Sequence, residues 1–335
     1  MEPTGRVTIG DVARVAGVST ATVSKVINER YGVAPATSQR VMSVIAELGY
    51  ESSLVARSLR SSRTNVIGIL VAEFEPFSTE LLKGISDAVA GTGYELLAYS
   101  AGGRPGQDVG WEQRYLSRLS GTLIDGAILV TPTVVNPNPG IPVVAVDPHT
   151  GPQGPPTVDS DNLAGALLAT THLLDLGHRR IGFLGGREDL ESSRLREQGY
   201  RDALAAAGVP VDPALVRVGG YRAETADHPL HELLALPDRP TAVFAANDLT
   251  AIRAVEVATG LGLDVPGDLS VVGFDNVPES ALCVPPLTTV AQPLRRMGAE
   301  ALRLLLDLLA GTPRDPHVRL ETSLVRRGST APPRA

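Results

Sequence analysis

Between Ile9 and Asn28 the apolar residues fall three and four apart, at Val12, Ala13 and Ala16 and again at Val23 and Val26, the period of two short helices. Thr8 and Asp11 have the spacing of a capping box, which starts the first helix at about Ile9. Ser19 is a second N-cap candidate and starts the next helix at about Thr20. Ala13 is small enough to sit where two steeply crossing helices meet, Gly17 tolerates the positive φ of the turn, and Val18, Val23 and Val26 fill the angle between the helices. The second helix then turns Thr20, Ala21, Thr22, Ser24, Lys25 and Asn28 outward, a polar face able to approach base edges and phosphates. An ordinary amphipathic hairpin is the alternative. The caps, the small residues and the three valines, all at compatible spacing, favour a helix-turn-helix.

A third helix is expected from Pro35, with Val41, Val44, Ile45 and Leu48 at core spacing and Gly49 closing it, so that residues 1–50 form a small all-α headpiece. Residues 52–63, SSLVARSLRSSR, are too short for a stable isolated helix. They read either as a linker or as a segment that folds on DNA, with Leu59 wedging into a base step and Arg57 and Arg60 meeting phosphates or the groove floor.

From Val66 short apolar runs alternate with helical stretches, the pattern of parallel α/β structure. Strands are expected at 66–71, 94–99, 126–130, 143–146, 181–184, 215–218, 241–245 and 269–274. Helices are expected at 80–90, 111–119, 164–176, 194–207 and 249–260. The strand-helix units form two sets, the second opening near Asp159-Ser160-Asp161-Asn162.

Open parallel sheets bind ligands beyond the carboxyl ends of their strands. The residues expected there are polar: Asp147, Asn247 with Asp248, and Asp275 with Asn276, while Arg196 follows the Gly185-Gly186 turn. Carboxylate, amide and guanidinium groups together suit a polyhydroxyl ligand, since each hydroxyl both donates and accepts. Phe74, Phe77, Trp111 and Tyr221 are the aromatics available to cover an apolar sugar face. Each residue also has a plain alternative, a helix cap for the Asp and Asn residues and core packing for the aromatics.

Composition narrows the function. The 335 residues are 43% hydrophobic and 20% charged, room for two or three domains with sizeable cores. The first residues have no signal-peptide pattern and no apolar run reaches membrane-spanning length, so a cytoplasmic protein is expected. Cys283 is the single cysteine, which excludes an intrachain disulfide and a multi-cysteine metal site. Net charge is −7, yet residues 1–63 carry eight basic and five acidic side chains, leaving −10 for the remainder. A basic head on an acidic body confines attraction for phosphate to one end. No dinucleotide or phosphate-binding glycine loop, zinc-protease helix or nucleophile elbow is present, and His228 and His231 share a helix face without a third ligand. No catalytic residue, metal or cofactor is therefore assigned.

With these residues in place, the chain resembles the LacI-family bacterial transcription regulators over Val7 to Gly328. The resemblance is carried by TIGDVARVAGVSTATVSKVIN, AELGY and ARSLR, and in the body by RPTAVFAAND, DLSVVGFDN and PPLTTV. It implies a periplasmic-binding-protein-like α/β body of two subdomains over 64–328, joined by crossovers near 160, 290 and 321, behind a hinge at 51–63 and ahead of a flexible tail at 329–335. It also implies a homodimer on double-stranded operator DNA, controlled by a small molecule, most often a sugar, with purine-type co-repression open.

Base-contacting positions then fall on Thr20, Ala21 and Lys25, with Ser19, Thr22, Ser24 and Asn28 near the backbone and Thr8 also on the DNA side. The hinge leucine falls on Leu59, beside Ala56 and Arg60. The effector arginine falls on Arg196 and the effector aspartate on Asp275, with Asn247 and Asp147 matching further effector positions and Phe77 and Tyr221 completing the set. Where many members have a proline after the tyrosine that precedes the hinge, this chain has Tyr50-Glu51-Ser52, so its hinge is less rigid at the start. The tail has no leucine heptad, and a dimer rather than a tetramer is expected. An exported solute-binding protein is the rival reading, and the absent signal peptide argues against it.

Overall fold

The computed structural model describes residues 7–27, 31–50, 63–102, 110–120, 123–134, 140–312 and 315–334. The chain divides into two compact units, Met1–Thr64 and Asn65–Ala335.

The first unit contains α1 (Ile9–Ala16), α2 (Thr20–Ile27) and α3 (Pro35–Leu48). The capping box forms: Thr8 Oγ1 accepts from Asp11 N, and the Asp11 carboxylate accepts from Thr8 N at 3.0 Å. The Thr8 hydroxyl, Arg14 and the Thr8 N–H all donate to the Asp11 carboxylate and hold it down at about 2. Gly17 caps α1 in the left-handed conformation at φ 64°, and Ser19 Oγ accepts from Thr22 N at 3.1 Å to open α2. Val12, Ala13, Val23, Val26 and Val41 form the core of this unit, and Val18 is only partly buried against it.

The second unit has two six-stranded sheets. Its elements are β1 (Val66–Val71), α4 (Pro76–Ala88), β2 (Glu95–Ser100), α5 (Trp111–Leu119), β3 (Gly126–Val130), β4 (Val143–Val146) and β5 (Thr157–Ser160). Then come α6 (Asn162–Asp175), β6 (Ile181–Gly185), α7 (Glu191–Ala206), β7 (Val216–Val218), α8 (Ala223–Leu234), β8 (Ala242–Ala245) and α9 (Asp248–Gly260). The last are β9 (Ser270–Asp275), α10 (Pro278–Leu282), β10 (Thr288–Ala291), α11 (Leu294–Ala310), β11 (His317–Leu320) and β12 (Ser323–Val325). Strand order is β11-β5-β4-β3-β1-β2 in the first sheet and β12-β10-β9-β8-β6-β7 in the second. Every neighbouring pair is parallel except β10 with β12.

Helices cover both faces of each sheet, so the central strands are buried throughout and read as continuous apolar runs. The chain leaves the first sheet after β5, returns to it with α11 after β10, and leaves it again between β11 and β12. These three passes bring the carboxyl ends of β3 and β4 to face those of β8 and β9.

Four strands lie outside the sequence expectation. TVDS, TTVA, HVRL and SLV are three or four residues long and polar enough that only their neighbours in a sheet make them strands. The end of the chain also differs from the expected flexible tail. The Ser329 side chain is fully buried and bonds Val271 O and Thr288 N, while Ala331 O accepts from His178 and Ser270. Arg334 pairs with Asp264 and Asp268 at 2.7 and 2.5 Å, so residues 329–334 are stitched onto the second lobe.

Candidate functional site

A cleft with about 1050 Å³ of space free of protein atoms, solvent at its mouth included, opens between the two sheets where their strands end. Four of its lining residues have positive φ without being glycine: Thr131 (48°), Asp147 (47°), Tyr221 (69°) and Asp275 (114°). Such conformations cost about 1–3 kcal/mol each and persist where surrounding structure over-determines them. Here each turns a chain leaving a strand sharply at the cleft, which presents its side chain inward.

Arg196 stands at the centre on the second turn of α7 and is 3% exposed. Its Nε donates to Asn162 Oδ1 at 2.8 Å and its Nη1 to the Ala246 carbonyl at 2.5 Å, with Asp275 Oδ1 3.5 Å away. The guanidinium lies 3.8 Å from the Phe274 ring centre and 5.7 Å from that of Tyr221. Asp275, at the end of β9, accepts from Gln292 Nε2 at 2.6 Å, and Gln292 Oε1 in turn accepts from the Ser160 hydroxyl at 2.5 Å. Asn162 and Gln292 were not among the residues expected from sequence, because each follows a strand that only the sheet reveals. The Tyr221 ring packs flat over Gly186, where a Cβ would occupy its place. Its hydroxyl is buried beside Ser193 without a well-formed hydrogen bond. A polar atom in that state is poised to gain a partner.

Asn247 is both a cap and a cleft residue: its Oδ1 accepts from Thr250 N at 3.0 Å to open α9, and its Nδ2 donates to the Tyr221 carbonyl at 3.0 Å. Asp147, Phe77 and Trp111 line the cleft; Trp111 is buried against the strands of the first sheet, and Phe74 is exposed outside the cleft. The rim is bridged by Arg222 to Glu73 at 2.5 Å and by His149 Nδ1 to Asp189 at 2.9 Å, each joining the two lobes.

Burial governs the titrating groups. It pushes Asp275 up to about 7 against the pull of Arg196, and raises Asp147, Glu75 and Asp248 as well. The folded state therefore holds the Asp275 proton more tightly than the unfolded chain, and this group's contribution to stability declines as pH climbs from about 4 through 7. His149, His172 and His178 are pushed down by burial and act in the opposite sense below their ordinary value of 6.5. Between pH 6.5 and 8 the carboxyls dominate. The melting temperature should fall across that range, and Asp275→Asn should flatten the fall; a variant as steep as the parent would refute the assignment.

In the headpiece, Thr8, Ser19, Thr20, Ala21 and Lys25 are exposed, and Thr22 and Ser24 are partly buried on the same short helix. Asn28, Ala56, Leu59 and Arg60 lie outside the described residues.

Residues 8–53 match the model of the bacterial regulatory proteins of the lacI family, and residues 170–330 match that of the periplasmic binding protein-like domain. The HTH-type transcriptional repressor PurR of Aliivibrio salmonicida is 36% identical over 310 residues, covering 90% of this chain and 91% of that one. The chain belongs to the LacI family. CytR of Escherichia coli strain K12, another HTH-type transcriptional repressor, is 35% identical over 327 residues, 96% of each chain. Among solved LacI-family structures, the lac repressor dimer bound to operator and the anti-inducer ONPF aligns with a TM-score of 0.82 at 28% identity, covering 98% of this chain and all of that one. The regulator CelR in complex with cellobiose aligns at 0.71 and 34% identity, covering 97% of this chain and all of that one. This LacI-family chain is thus a transcription regulator with a helix-turn-helix head and an α/β sensor body. Among its described residues no helix is long and apolar enough to cross a membrane, and no cluster of three metal-binding side chains occurs.

Proposed function

We propose that the protein is a homodimeric repressor that sits with the chromosome in the cytoplasm and leaves a palindromic operator when a sugar or oligosaccharide enters the cleft. The observation that carries this reading is the buried Arg196–Asp275 pair with its Asn162 and Gln292 supports, a rigid set of donors and acceptors open to the cleft. A polyhydroxyl ligand satisfies both kinds of group, and Tyr221 supplies a flat face and an unpartnered hydroxyl beside them. These polar groups are tied to one another, which suits holding a ligand rather than transforming it, and no reaction is assigned. The CelR–cellobiose and lac repressor–operator structures support both halves of the reading.

The ligand's grip on both lobes would change their relative angle and so the spacing of the two heads, with Leu59, Ala56 and Arg60 of each hinge at the minor groove between them. Linkage requires ligand and operator to alter one another's affinity by the same factor. The deciding experiment is a mobility shift on the upstream DNA of the protein's own gene, with and without a sugar panel. Release by one sugar supports the proposal; tighter binding on ligand addition would make the protein a co-repressed regulator instead. On the DNA side, Thr8, Ser19, Thr20, Ala21, Thr22, Ser24, Lys25 and Asn28 supply the major-groove face. Lys25→Ala should weaken operator binding by roughly 10- to 100-fold and lower the salt dependence, since it removes the one exposed cation of α2. Unaltered affinity would remove Lys25 from the interface.

A further inference from the structure

The charges around the cleft are unequal in an informative way. Three arginines line it, and each is already matched: Arg187 by Asp189 at 2.8 Å, Arg222 by Glu73 at 2.5 Å and Arg196 by Asp275 at 3.5 Å. Two further lining carboxylates, Glu75 and Asp147, belong to no ion pair among the described residues. Three helices begin at the cleft wall, α4, α7 and α9, and helix N-termini ordinarily attract anions. In this fold each start already holds an acid of its own: Glu75 as the N-cap of α4, Glu191 in the first turn of α7 and Asp248 in the first turn of α9. The lining histidine, His149, adds no offsetting charge, because burial keeps it neutral at neutral pH.

We infer that the cleft selects uncharged polyols and turns away phosphorylated sugars and nucleotides, with Glu75 a specificity-determining residue. This inference rests on the reading of the cleft as the effector site. A phosphate entering here would find no unmatched cation, and it would meet two acids that must either repel it in a partly dry space or give up their charge by taking protons. A hydroxyl meets no such cost and can donate to the same carboxylates. Both unmatched acids stand on the first lobe's wall, Glu75 as the N-cap of α4 and Asp147 just past β4, so an anionic ligand held against that wall meets them.

The test uses the full-length protein and matched pairs: cellobiose with cellobiose 6-phosphate, ribose with ribose 5-phosphate, and adenosine with adenosine 5′-monophosphate, followed by calorimetric titration. Binding is expected from an uncharged member, with its phosphorylated partner at least about 100-fold weaker at low salt. Raising the ionic strength should narrow that ratio, a readout that needs no variant. Glu75→Gln should narrow it by about tenfold through tighter binding of the phosphorylated member. Equal or tighter binding of a phosphorylated member by the parent overturns the inference while leaving the effector site standing, as does a ratio that neither salt nor Glu75→Gln moves. Failure of every compound to bind overturns the effector-site reading itself, and this inference with it.

Discussion

Arg196→Ala is expected to abolish ligand binding outright while leaving the headpiece able to bind DNA. The guanidinium meets Asn162, Ala246, Asp275 and two aromatic rings at once, so its loss removes the donor fork together with its contacts. Hydrogen bonds to a charged group contribute about 1.5–3 kcal/mol each, and two of them correspond to a loss of roughly 100-fold or more in affinity. A ligand present at 100 times its dissociation constant should stabilise the parent by about 2.7 kcal/mol and the variant by nearly nothing. The variant should also melt lower without ligand, since Asp275 stays buried without its cation. Arg196→Lys keeps the charge and loses the fork, and it should bind ligand no better than the alanine variant. The measurement is a thermal shift for all three proteins with the sugar that moves the parent. A full shift from Arg196→Ala would mean that the ligand sits elsewhere.

The second large effect lies away from the cleft. Gly84 on α4 faces α11, and a Cβ there would overlap the Arg295 carbonyl; Gly298 on α11 is likewise pressed against the Leu81 carbonyl. Alanine in the middle of a helix normally gains up to about 1 kcal/mol over glycine. At Gly84 the sign should reverse, because backbone atoms cannot move aside as a flexible side chain can. Overpacking of this kind costs about 3 kcal/mol or more, a fall of about 6–12 °C in melting temperature for a body of this size. Gly260, at the end of α9, has open space around it, and Gly260→Ala should be neutral. Because α4 also carries Glu75 and Phe77 into the cleft, Gly84→Ala should weaken ligand binding as well. A variant as stable as the parent would show that the two helices can separate at no cost.

Much of the site was legible because strand ends announce themselves. Asp147, Asn247 and Asp275 each follow an apolar run, and a polar residue after a buried parallel strand has little choice but to stand at the sheet's edge. Arg196 stands out by its place after the Gly185-Gly186 turn, and the family motif adds its effector role. What stayed hidden were the partners. Asn162 and Gln292 follow β5 and β10, strands of mixed polarity that exist only because neighbouring strands supply their hydrogen bonds. The family resemblance already puts the loop Glu73-Phe74-Glu75-Pro76-Phe77 at the cleft, but that Glu75 caps α4 and stands on the cleft wall comes from the direction in which α4 leaves β1.

The division follows from the range of the interactions. Caps, turns and periodicity act over a few residues, so α1 and α2 with their Thr8, Gly17 and Ser19 signals, and the strands VIGILV, GAILV and VVAV, were determined by the sequence alone. The pairing of Arg196 with Asp275 joins residues 79 positions apart, and that of Ser160 with Gln292 joins residues 132 apart. Those contacts depend on three passes of the chain between the sheets. Only the tertiary structure decided which polar side chains meet, which of them are buried deeply enough to change their protonation, and that residues 329–334 belong to the second lobe rather than to a loose tail.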